Sequence, residues 1–256
     1  MKRLRDQMSV WSYVSYMIWR ATGGRVDLRV RLRSGVRLIL RGGEVEDLNL
    51  SHEIFVQEMY LPPEGLKADE ILRIVDVGAN VGYSVIYWAS IFRNAAVAAF
   101  EPHPEILRAL RANLELNGLT ERVTIFPVAA GTQDTTALLT DTGVSSTLTR
   151  DRSSNGYEVR VRDFFETVGK DQIDLLKMDC EGTEFDLIAD SRFANLNVTS
   201  MVLEWHATEQ RPDAKREVFE MLSRGHWKIK PVWESGEPNA SAGLLNQGVA
   251  WAFKEN

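Results

Sequence analysis

Five short apolar runs, separated by helical or polar segments, dominate the sequence after residue 70 and constrain its fold more than any other feature. The runs are Leu72–Val77, Ala96–Phe100, Val123–Val128, Ile173–Met178 and Ser200–Glu204. Their length and apolarity are typical of strands buried on both faces. The segments with helical spacing between and after them are Tyr83–Phe92, Pro104–Asn117, a segment from about Thr183, and Asp213–Arg224. Strands that alternate with helices predict an α/β fold with a parallel, doubly wound sheet.

Two further regions flank this alternation. The segments Trp227–Trp233 and Gly248–Phe253 predict an antiparallel hairpin that closes the sheet. The first 40 residues predict an amphipathic helix and then a β-hairpin with arginines on one face. Because the breaker cluster Pro62–Gly65 ends this part, we predict an extension over residues 1–60 and a main domain over 61–256. A helix and a hairpin are too small to be stable alone, so we expect the extension to pack as a cap on the site or as a homodimer contact.

Charge and cysteine content argue against several classes of protein. The 256 residues carry a net charge of −6, but ten basic and two acidic residues give residues 1–41 a surplus of +8, which leaves −14 on the remainder. The basic residues alternate with apolar ones and not with stacking aromatic ones, so we expect no nucleic-acid partner. The single cysteine, Cys180, excludes an intrachain disulfide and favours a cytoplasmic location. The N-terminal apolar run is too short and too polar for stable membrane insertion.

The first motif with chemical meaning is the glycine turn after the first apolar run. Asp76 is the second-last residue of the run, and Gly78, Asn80 and Gly82 form the turn. Glycines allow the backbone to approach a ligand, and open parallel sheets bind ligands at this edge. A dinucleotide site requires glycine at the first, third and sixth positions, where this chain has Gly78, Asn80 and Tyr83. A ligand without a pyrophosphate therefore suits the turn better, and a plain strand–helix turn is the alternative.

The second motif, Glu101-Pro102-His103-Pro104, follows the second apolar run. An acid at the tip of this strand can accept hydrogen bonds from both hydroxyls of a ribose. The prolines stiffen the turn and begin the next helix. We predict that His103 is a turn residue, with an adenine contact as the alternative. Because Glu101 coincides with the glycine turn, ligand binding is favoured over an exposed glutamate.

Ionisable residues also cluster where the fourth and fifth apolar runs end. They are Lys177, Asp179, Glu181 and Glu184 at and just after the end of the fourth run, and Glu204 and His206 at and just after the end of the fifth. Such groups beside a buried strand are costly unless they are solvated, paired or used in function. An ion pair plus acids at a helix N-terminus is the structural alternative. His206 is a candidate general base because its ordinary pKa is near neutrality, and a structural histidine is the alternative.

Two further sequence features, a cysteine and a polar segment, have no assigned part in the chemistry. Cys180 lacks an activating arrangement, so we expect a small packed thiol. The polar segment 143–148, which contains Ser145 and Ser146, either closes over the site or only links two elements, and the sequence leaves both open.

The motifs VDVGANVGY, FEPHPE, N-x-x-LNG, VAAG, DLLKMDCEGTE and LEWH together resemble the FkbM family of methyltransferases, in order over about residues 50–206. The resemblance implies a class I, Rossmann-like fold that uses S-adenosylmethionine, mostly to methylate oxygen on secondary metabolites or sugars. It implies that the cofactor is bound by Asp76, Gly78, Asn80, Gly82, Glu101 and the adjoining Pro102. Ala129 and Ala130, at the end of the third strand, would flank the adenine. Lys177, Asp179, Glu181 and Glu204 match the family's polar strand ends.

The reaction expected from this resemblance needs alignment of donor and acceptor and exclusion of water. A small-molecule alcohol acceptor also needs a proton acceptor, from His206 or a carboxylate, and we expect Lys177, Asp179, Glu204 and His206 to line the acceptor pocket. A divalent metal held by Asp179 and neighbouring acids is the runner-up, although no residue spacing requires one. Two other classes stay open, a nicotinamide-dependent oxidoreductase and a non-catalytic cofactor-binding domain.

Overall fold

The computed structural model describes residues 4–141, 146–149, 156–235 and 244–254. Its helices are α1 (Leu4–Gln7), α2 (Val10–Ala21), α3 (Val45–Phe55), α4 (Tyr83–Ile91), α5 (Pro104–Leu116), α6 (Phe164–Val168), α7 (Thr183–Ala189) and α8 (Ala214–Arg224). Its strands are β1 (Leu28–Arg31), β2 (Arg37–Leu40), β3 (Arg73–Val77), β4 (Ala96–Phe100), β5 (Val123–Phe126), β6 (Ala129–Gly131), β7 (Thr135–Asp141), β8 (Ser146–Thr149), β9 (Tyr157–Asp163), β10 (Ile173–Met178), β11 (Val198–Thr208), β12 (Trp227–Glu234) and β13 (Leu244–Lys254). Within these ranges, every helix is too short or too polar to cross a membrane.

Seven strands form the central sheet, in the order β12-β13-β11-β10-β3-β4-β5. The five strands from β11 to β5 run parallel, and β13 runs antiparallel to both of its neighbours. The predicted doubly wound α/β fold and its closing hairpin are therefore confirmed. The chain moves outward from β3 in one direction through β4 and β5, and in the other through β10 and β11. Ligands of such sheets bind at this reversal, beyond the carboxyl ends of the strands.

Apolar side chains pack in two clusters, one on each face of the central sheet. Because strand side chains alternate, Ile74 of β3 lies in one cluster and Val75 in the other. The first cluster also contains residues of the N-terminal extension, such as Leu40 of β2 and Ile54 of α3, together with Leu110 of α5. The extension and the central sheet therefore share one hydrophobic core.

Buried hydrogen bonds also tie the extension to the glycine turn. The backbone N–H of Ile39 in β2 donates to Asn113 Oδ1 at 2.8 Å, and the Tyr83 hydroxyl donates to the Ile39 carbonyl at 2.6 Å. Asn113 Nδ2 donates to the carbonyl of Val81, within the glycine turn, at 2.9 Å. Asn113 thus joins the β-hairpin, helix α5 and the turn in one network.

A second sheet, in the order β6-β9-β7-β8, follows β5 and was not predicted. The prediction that the third strand runs to Val128 was wrong, because β5 ends at Phe126 and Pro127 has no N–H to continue the ladder. Ala129 and Ala130 therefore lie in the second sheet and not at the end of the third strand. Strand β8 occupies Ser146–Thr149, in the second half of the predicted loop 143–148, and residues 143–145 lie outside the described ranges.

The amphipathic helix predicted near the N-terminus is α2. Its apolar stripe faces away from the rest of the described chain, and the homodimer contact that we predicted as one of two packings of the extension stays a prediction. Val10, Trp11, Val14, Met17 and Ile18 are all exposed, whereas Ser12 and Trp19 are buried. The helix contacts β1 through its more polar face because that face makes hydrogen bonds with the β1 backbone.

Candidate active site

The glycine turn after β3 is shaped by contacts within the protein. Gly78 and Gly82 have φ angles of +85° and +88°, which L side chains rarely adopt. A Cβ on Gly78 would lie 1.7 Å from the carbonyl oxygen of Asp179, and one on Gly82 would lie 2.6 Å from Leu110 Cδ1. Both glycines are therefore required by contacts within the protein, and the closer approach of a ligand to this turn stays a prediction. Gly78 brings the turn directly against the end of β10.

The backbone N–H groups of this turn are all hydrogen-bonded within the chain. Gly78 and Ala79 donate to the carbonyl of Phe100, at 3.1 and 3.0 Å. Asn80 donates to Glu101 Oε2 at 3.0 Å, and the next two N–H groups donate to the Asn80 side chain and the Ala79 carbonyl. A dinucleotide site needs free amides here to hold a pyrophosphate. The turn therefore fits a cofactor without a pyrophosphate, as its glycine spacing predicts.

Glu101 lies directly after β4 and faces the turn. Its carboxylate accepts hydrogen bonds from the backbone N–H of Asn80 at 3.0 Å and of His103 at 2.8 Å. Burial raises the pKa of Glu101 to about 7, although these two N–H groups and Lys177 lower it. Each carboxylate oxygen has about two acceptor positions, so both can still accept a ribose hydroxyl. Pro102 is half-buried in the same turn.

His103 has the turn role that we predicted. Its backbone is extended, and its Nδ1 accepts hydrogen bonds from the backbone N–H groups of Glu105 and Ile106 at 3.2 and 3.4 Å. These contacts make His103 the N-cap of α5. Its ring also packs edge-on against Tyr157, with the ring centroids 4.5 Å apart.

Lys177 is a buried cation at the centre of the site, at the end of β10. Its Nζ donates to the carbonyl of Gly78 at 2.6 Å and lies 3.3 Å from both Asp76 Oδ1 and Asp179 Oδ2. Burial lowers the pKa of Lys177, but Asp76, Asp179 and Glu204 outweigh it and raise that pKa above its ordinary value. Lys177 therefore stays charged and holds β3, the glycine turn and β10 in register. The other oxygen of Asp76, Oδ2, is buried and accepts no hydrogen bond from a described residue.

Tyr60, at the end of the extension, packs beside Lys177. We did not predict it from the sequence. Its hydroxyl donates to Glu204 Oε2 at 3.2 Å and lies 3.4 Å from Asp179 Oδ2. Its ring lies over the Lys177 ammonium, 5.8 Å from the ring centroid, an arrangement that stabilises a cation. Burial, and then the neighbouring carboxylates, raise the pKa of Tyr60. No motif surrounds Tyr60 in the sequence, and 144 positions separate it from Glu204.

Glu204 and His206 lie on one face of β11, and both are buried. His206 Nε2 is 3.6 Å from Glu204 Oε1. Burial lowers the pKa of His206, but the carboxylates of Glu204, Glu181 and Asp179 outweigh it and raise that pKa to about 10. His206 therefore carries a proton at neutral pH in this structure, so the ordinary histidine pKa no longer supports its assignment as the resting base.

Two glutamates with pKa values near neutrality complete the site. Burial raises the pKa of Glu53, on α3, to about 7, and the Glu204 and Asp179 carboxylates act in the same direction. Burial likewise raises the pKa of Glu181 to about 7, although His206 opposes the shift. The sequence analysis did not identify Glu53. We call the five carboxylates the acidic cluster; its members are Glu53, Asp76, Asp179, Glu181 and Glu204. These five carboxylates outnumber the two cations that lie among them, Lys177 and His206.

Three of the predicted residues could also bind a cation. Asp179, Glu181 and His206 can each offer one ligand atom, and these atoms lie within 4.8 Å of one another. Two carboxylates and an imidazole suit a divalent ion such as Mg²⁺, Mn²⁺ or Zn²⁺.

The remaining predicted residues lie at the margin of the site. Ala129 and Ala130 are buried, and Ala130 packs in the same cluster as Phe100, which precedes Glu101. The thiol of Cys180 donates to Glu184 Oε2 at 3.4 Å, and burial raises its pKa well above the ordinary value. Cys180 is half-buried and packs against the apolar cluster that contains Phe100, in agreement with the predicted packed thiol.

Comparison with known proteins identifies relatives of this chain. The profile of the methyltransferase FkbM domain matches residues 76–226, more than half of the chain. The AMB antimetabolite synthetase AmbE of Pseudomonas aeruginosa is 29% identical over 247 residues, a match that covers 72% of this chain and 11% of that protein. The chain therefore spans about a tenth of the length of this curated relative.

Two solved structures have a similar fold. The methyltransferase FkbM of Methylobacillus flagellatus superposes with a TM-score of 0.53 at 17% identity, and the match covers 81% of this chain and 51% of that one. A SAM-dependent O-methyltransferase of Thermotoga maritima superposes with a TM-score of 0.50 at 16% identity, over 89% of this chain and 77% of that one. At these identities the likeness concerns the fold.

Proposed function

Because the chain belongs to the FkbM methyltransferase family, we propose that it transfers the methyl group of S-adenosylmethionine to a hydroxyl of a small secondary metabolite or sugar. The observation that carries this proposal is the arrangement of Glu101, the glycine turn and the acidic cluster along one edge of the sheet. The similarity to an antimetabolite synthetase supports a secondary-metabolite acceptor.

The cofactor is proposed to bind across the ends of β3 and β4. Glu101 accepts hydrogen bonds from the ribose hydroxyls, and Ala129 and Ala130 flank the adenine. The turn from Gly78 to Gly82 supports the cofactor through packing, because its amides are already hydrogen-bonded. S-adenosylmethionine supplies a methyl group that its sulfonium has already activated. The excess of carboxylates in the acidic cluster favours the binding of that positive charge.

The acceptor is proposed to lie against the ends of β10 and β11. Asp179, held by Lys177 and Tyr60, orients the acceptor hydroxyl. The bond between the methyl carbon and sulfur breaks as the bond to the acceptor oxygen forms. A carboxylate of the acidic cluster, Glu53 or Glu181, takes the hydroxyl proton. The products are a methyl ether and S-adenosylhomocysteine.

Release of S-adenosylhomocysteine in the presence of a panel of sugars and hydroxylated metabolites tests this function. We expect release with at least one hydroxyl compound and none with the same compound already methylated at that oxygen. Asp179→Asn should slow release on the order of a hundredfold without weakening S-adenosylhomocysteine binding. Equal release from the blocked compound, or full activity of Asp179→Asn, contradicts the proposal. If no compound in a broad panel is methylated although the cofactor binds, a non-catalytic binding domain is favoured.

A divalent cation is the second candidate feature of the acceptor side, and the grouping of Asp179, Glu181 and His206 favours it. These residues would hold the ion, which would lower the pKa of an acceptor hydroxyl near it. Calorimetric titration of the chelator-treated protein with Mn²⁺ tests for the site directly. We expect one ion per chain in the wild type, none in Glu181→Gln, and activity that chelation removes and Mg²⁺ restores. Full activity after chelation excludes the ion.

A further inference from the structure

The outward face of α2 is an apolar surface that no described residue covers. Val10, Trp11 and Ile18 are 73%, 81% and 60% exposed, and Val14 and Met17 lie between them. At 100° per residue these five positions occupy an arc of about 120° on one side of the helix. Scattered exposed apolar residues are ordinary, but a contiguous stripe that includes a tryptophan marks an interaction surface.

Specific hydrogen bonds fix α2 in this orientation. The backbone N–H of Arg31 in β1 donates to Ser12 Oγ at 2.7 Å, and Trp19 Nε1 donates to the carbonyl of Val26 at 2.5 Å. The N-cap residue Ser9 also donates its backbone N–H to the carbonyl of Arg31 at 2.8 Å. Rotation of the helix to bury its stripe would break these bonds, so the stripe is presented outward by the fold itself.

The same unit carries a large excess of positive charge. The surplus over residues 1–41 is +8, against −14 on the rest of the chain. The exposed arginines of this unit are Arg5, Arg20, Arg25, Arg29, Arg31, Arg33 and Arg37. Arg31 and Arg37 stand opposite each other in the β1–β2 register, where like charges repel. An anionic partner would relieve this repulsion.

We infer that α2 and the basic hairpin adsorb to an anionic lipid bilayer, with α2 lying in the plane of the interface. A helix with Trp, Ile and Met on one face suits the boundary between headgroups and acyl chains, and the unit that contains α2 is strongly basic. Negative lipid headgroups attract each nearby arginine. The acidic remainder of the chain is repelled, which orients the molecule with α2 toward the membrane. A symmetric contact between two copies is disfavoured because it would bring two positive surfaces together.

Co-sedimentation with vesicles tests the inference. The full-length protein should bind vesicles of phosphatidylcholine mixed with phosphatidylglycerol, should not bind phosphatidylcholine alone, and should be released by high salt. The double variant Trp11→Ser/Ile18→Ser should lose at least about 30-fold in affinity. Arg29→Gln/Arg31→Gln should also lose about 30-fold. The control Leu72→Ser/Val232→Ser, which changes exposed apolar residues elsewhere, should bind like the wild type.

Three results would overturn the inference. They are no binding to anionic vesicles, equal binding to neutral ones, and normal binding by the Trp11/Ile18 variant. Sedimentation equilibrium without lipid supplies the remaining comparison. A wild-type dimer that the Trp11/Ile18 variant converts to a monomer, together with no vesicle binding, would assign the stripe to a second copy of the chain instead. Thermal unfolding checks that each variant is folded. The Arg29→Gln/Arg31→Gln variant tests the inference without any change to the apolar stripe.

Discussion

At the scale of single residues, the site depends on one buried ammonium group. Lys177 compensates Asp76 and Asp179 and binds a backbone carbonyl of the glycine turn. When one partner of a buried set of paired charges is removed, the remaining charge is left buried and uncompensated. This loss of folding free energy is far larger than the net stabilisation from the intact set. Lys177 is thus a positioning residue, and its first role is to keep the ends of β3 and β10 together.

We predict that Lys177→Met lowers the free energy of unfolding by about 3–5 kcal/mol at neutral pH. The variant retains much of the side-chain volume, so the loss reports the missing charge. Denaturant unfolding monitored by circular dichroism measures it. The control is Lys170→Met, an exposed position, where we expect a change within about 0.5 kcal/mol. Equal stability of the two variants would show that Lys177 does not compensate the carboxylates.

Glu101 would give the proposed cofactor site a specific dependence on pH. Its folded pKa of about 7 lies above the ordinary 4.5, so its contribution to folding stability is present below pH 4.5 and is lost as the pH rises through 7. The pH dependence that we expect for binding of the proposed cofactor has the opposite sign, because an ionised carboxylate would accept the ribose hydrogen bonds more strongly. At pH 6 about a tenth of the molecules have Glu101 ionised.

We therefore predict that the affinity for S-adenosylhomocysteine rises about tenfold between pH 6 and pH 8. Calorimetric titration at a series of pH values measures it. Glu101→Gln should bind more weakly and show a flat profile, although Glu53 and Glu181 titrate over the same range. A variant that keeps the wild-type slope would place the titrating group elsewhere.

At the scale of elements, the extension is docked by side chains of α5. Asn113 and Asn117 lie one turn apart. Asn113 bonds the edge of β2 at Ile39, and Asn117 bonds both backbone groups of Arg37 at 3.0 and 2.7 Å. The N-x-x-LNG motif of the sequence, which we first linked only to the family, thus holds an edge strand that would otherwise expose unpaired backbone groups.

Asn113→Ala tests this docking. The variant leaves the Ile39 N–H and the Val81 carbonyl buried without these partners, so we expect it to lose about 2–4 kcal/mol of unfolding free energy. The exposed Asn197→Ala serves as the matched control and should change little. A stable Asn113→Ala protein would mean that the hairpin does not depend on this network.

The elements that could be predicted are those whose burial is indicated by the local pattern of apolar residues. Ala96–Phe100 and Ile173–Met178 have the predicted bounds, because short, mostly apolar runs that alternate with helical segments are typical of buried parallel strands. Helix α3 was missed since it buries Asp47 and Ser51, which weakens its apolar period. The stripe of α2 was assigned correctly to a helix, but the sequence left open whether it caps the site or contacts a second copy, because periodicity identifies a face and not what covers it.

At the scale of the whole molecule, the candidate site joins two parts of the chain. Parallel strands share one edge, so the sequence predicted that residues after β3, β4, β10 and β11 lie there together. It could not predict Tyr60 and Glu53, which come from the extension, before the region that matches the family profile. Their contribution depends on how the extension folds over the sheet, and no local pattern encodes that. The extension is therefore a structural component of the proposed acceptor pocket.

The proposed activity depends first on which cofactor the chain binds. The wild-type protein is titrated in a calorimeter with S-adenosylhomocysteine and, in parallel, with NAD. We predict saturable binding of one S-adenosylhomocysteine per chain and no heat of binding with NAD, because the turn offers no free amides for a pyrophosphate. Saturable binding of NAD without binding of S-adenosylhomocysteine would contradict the account and would favour an oxidoreductase.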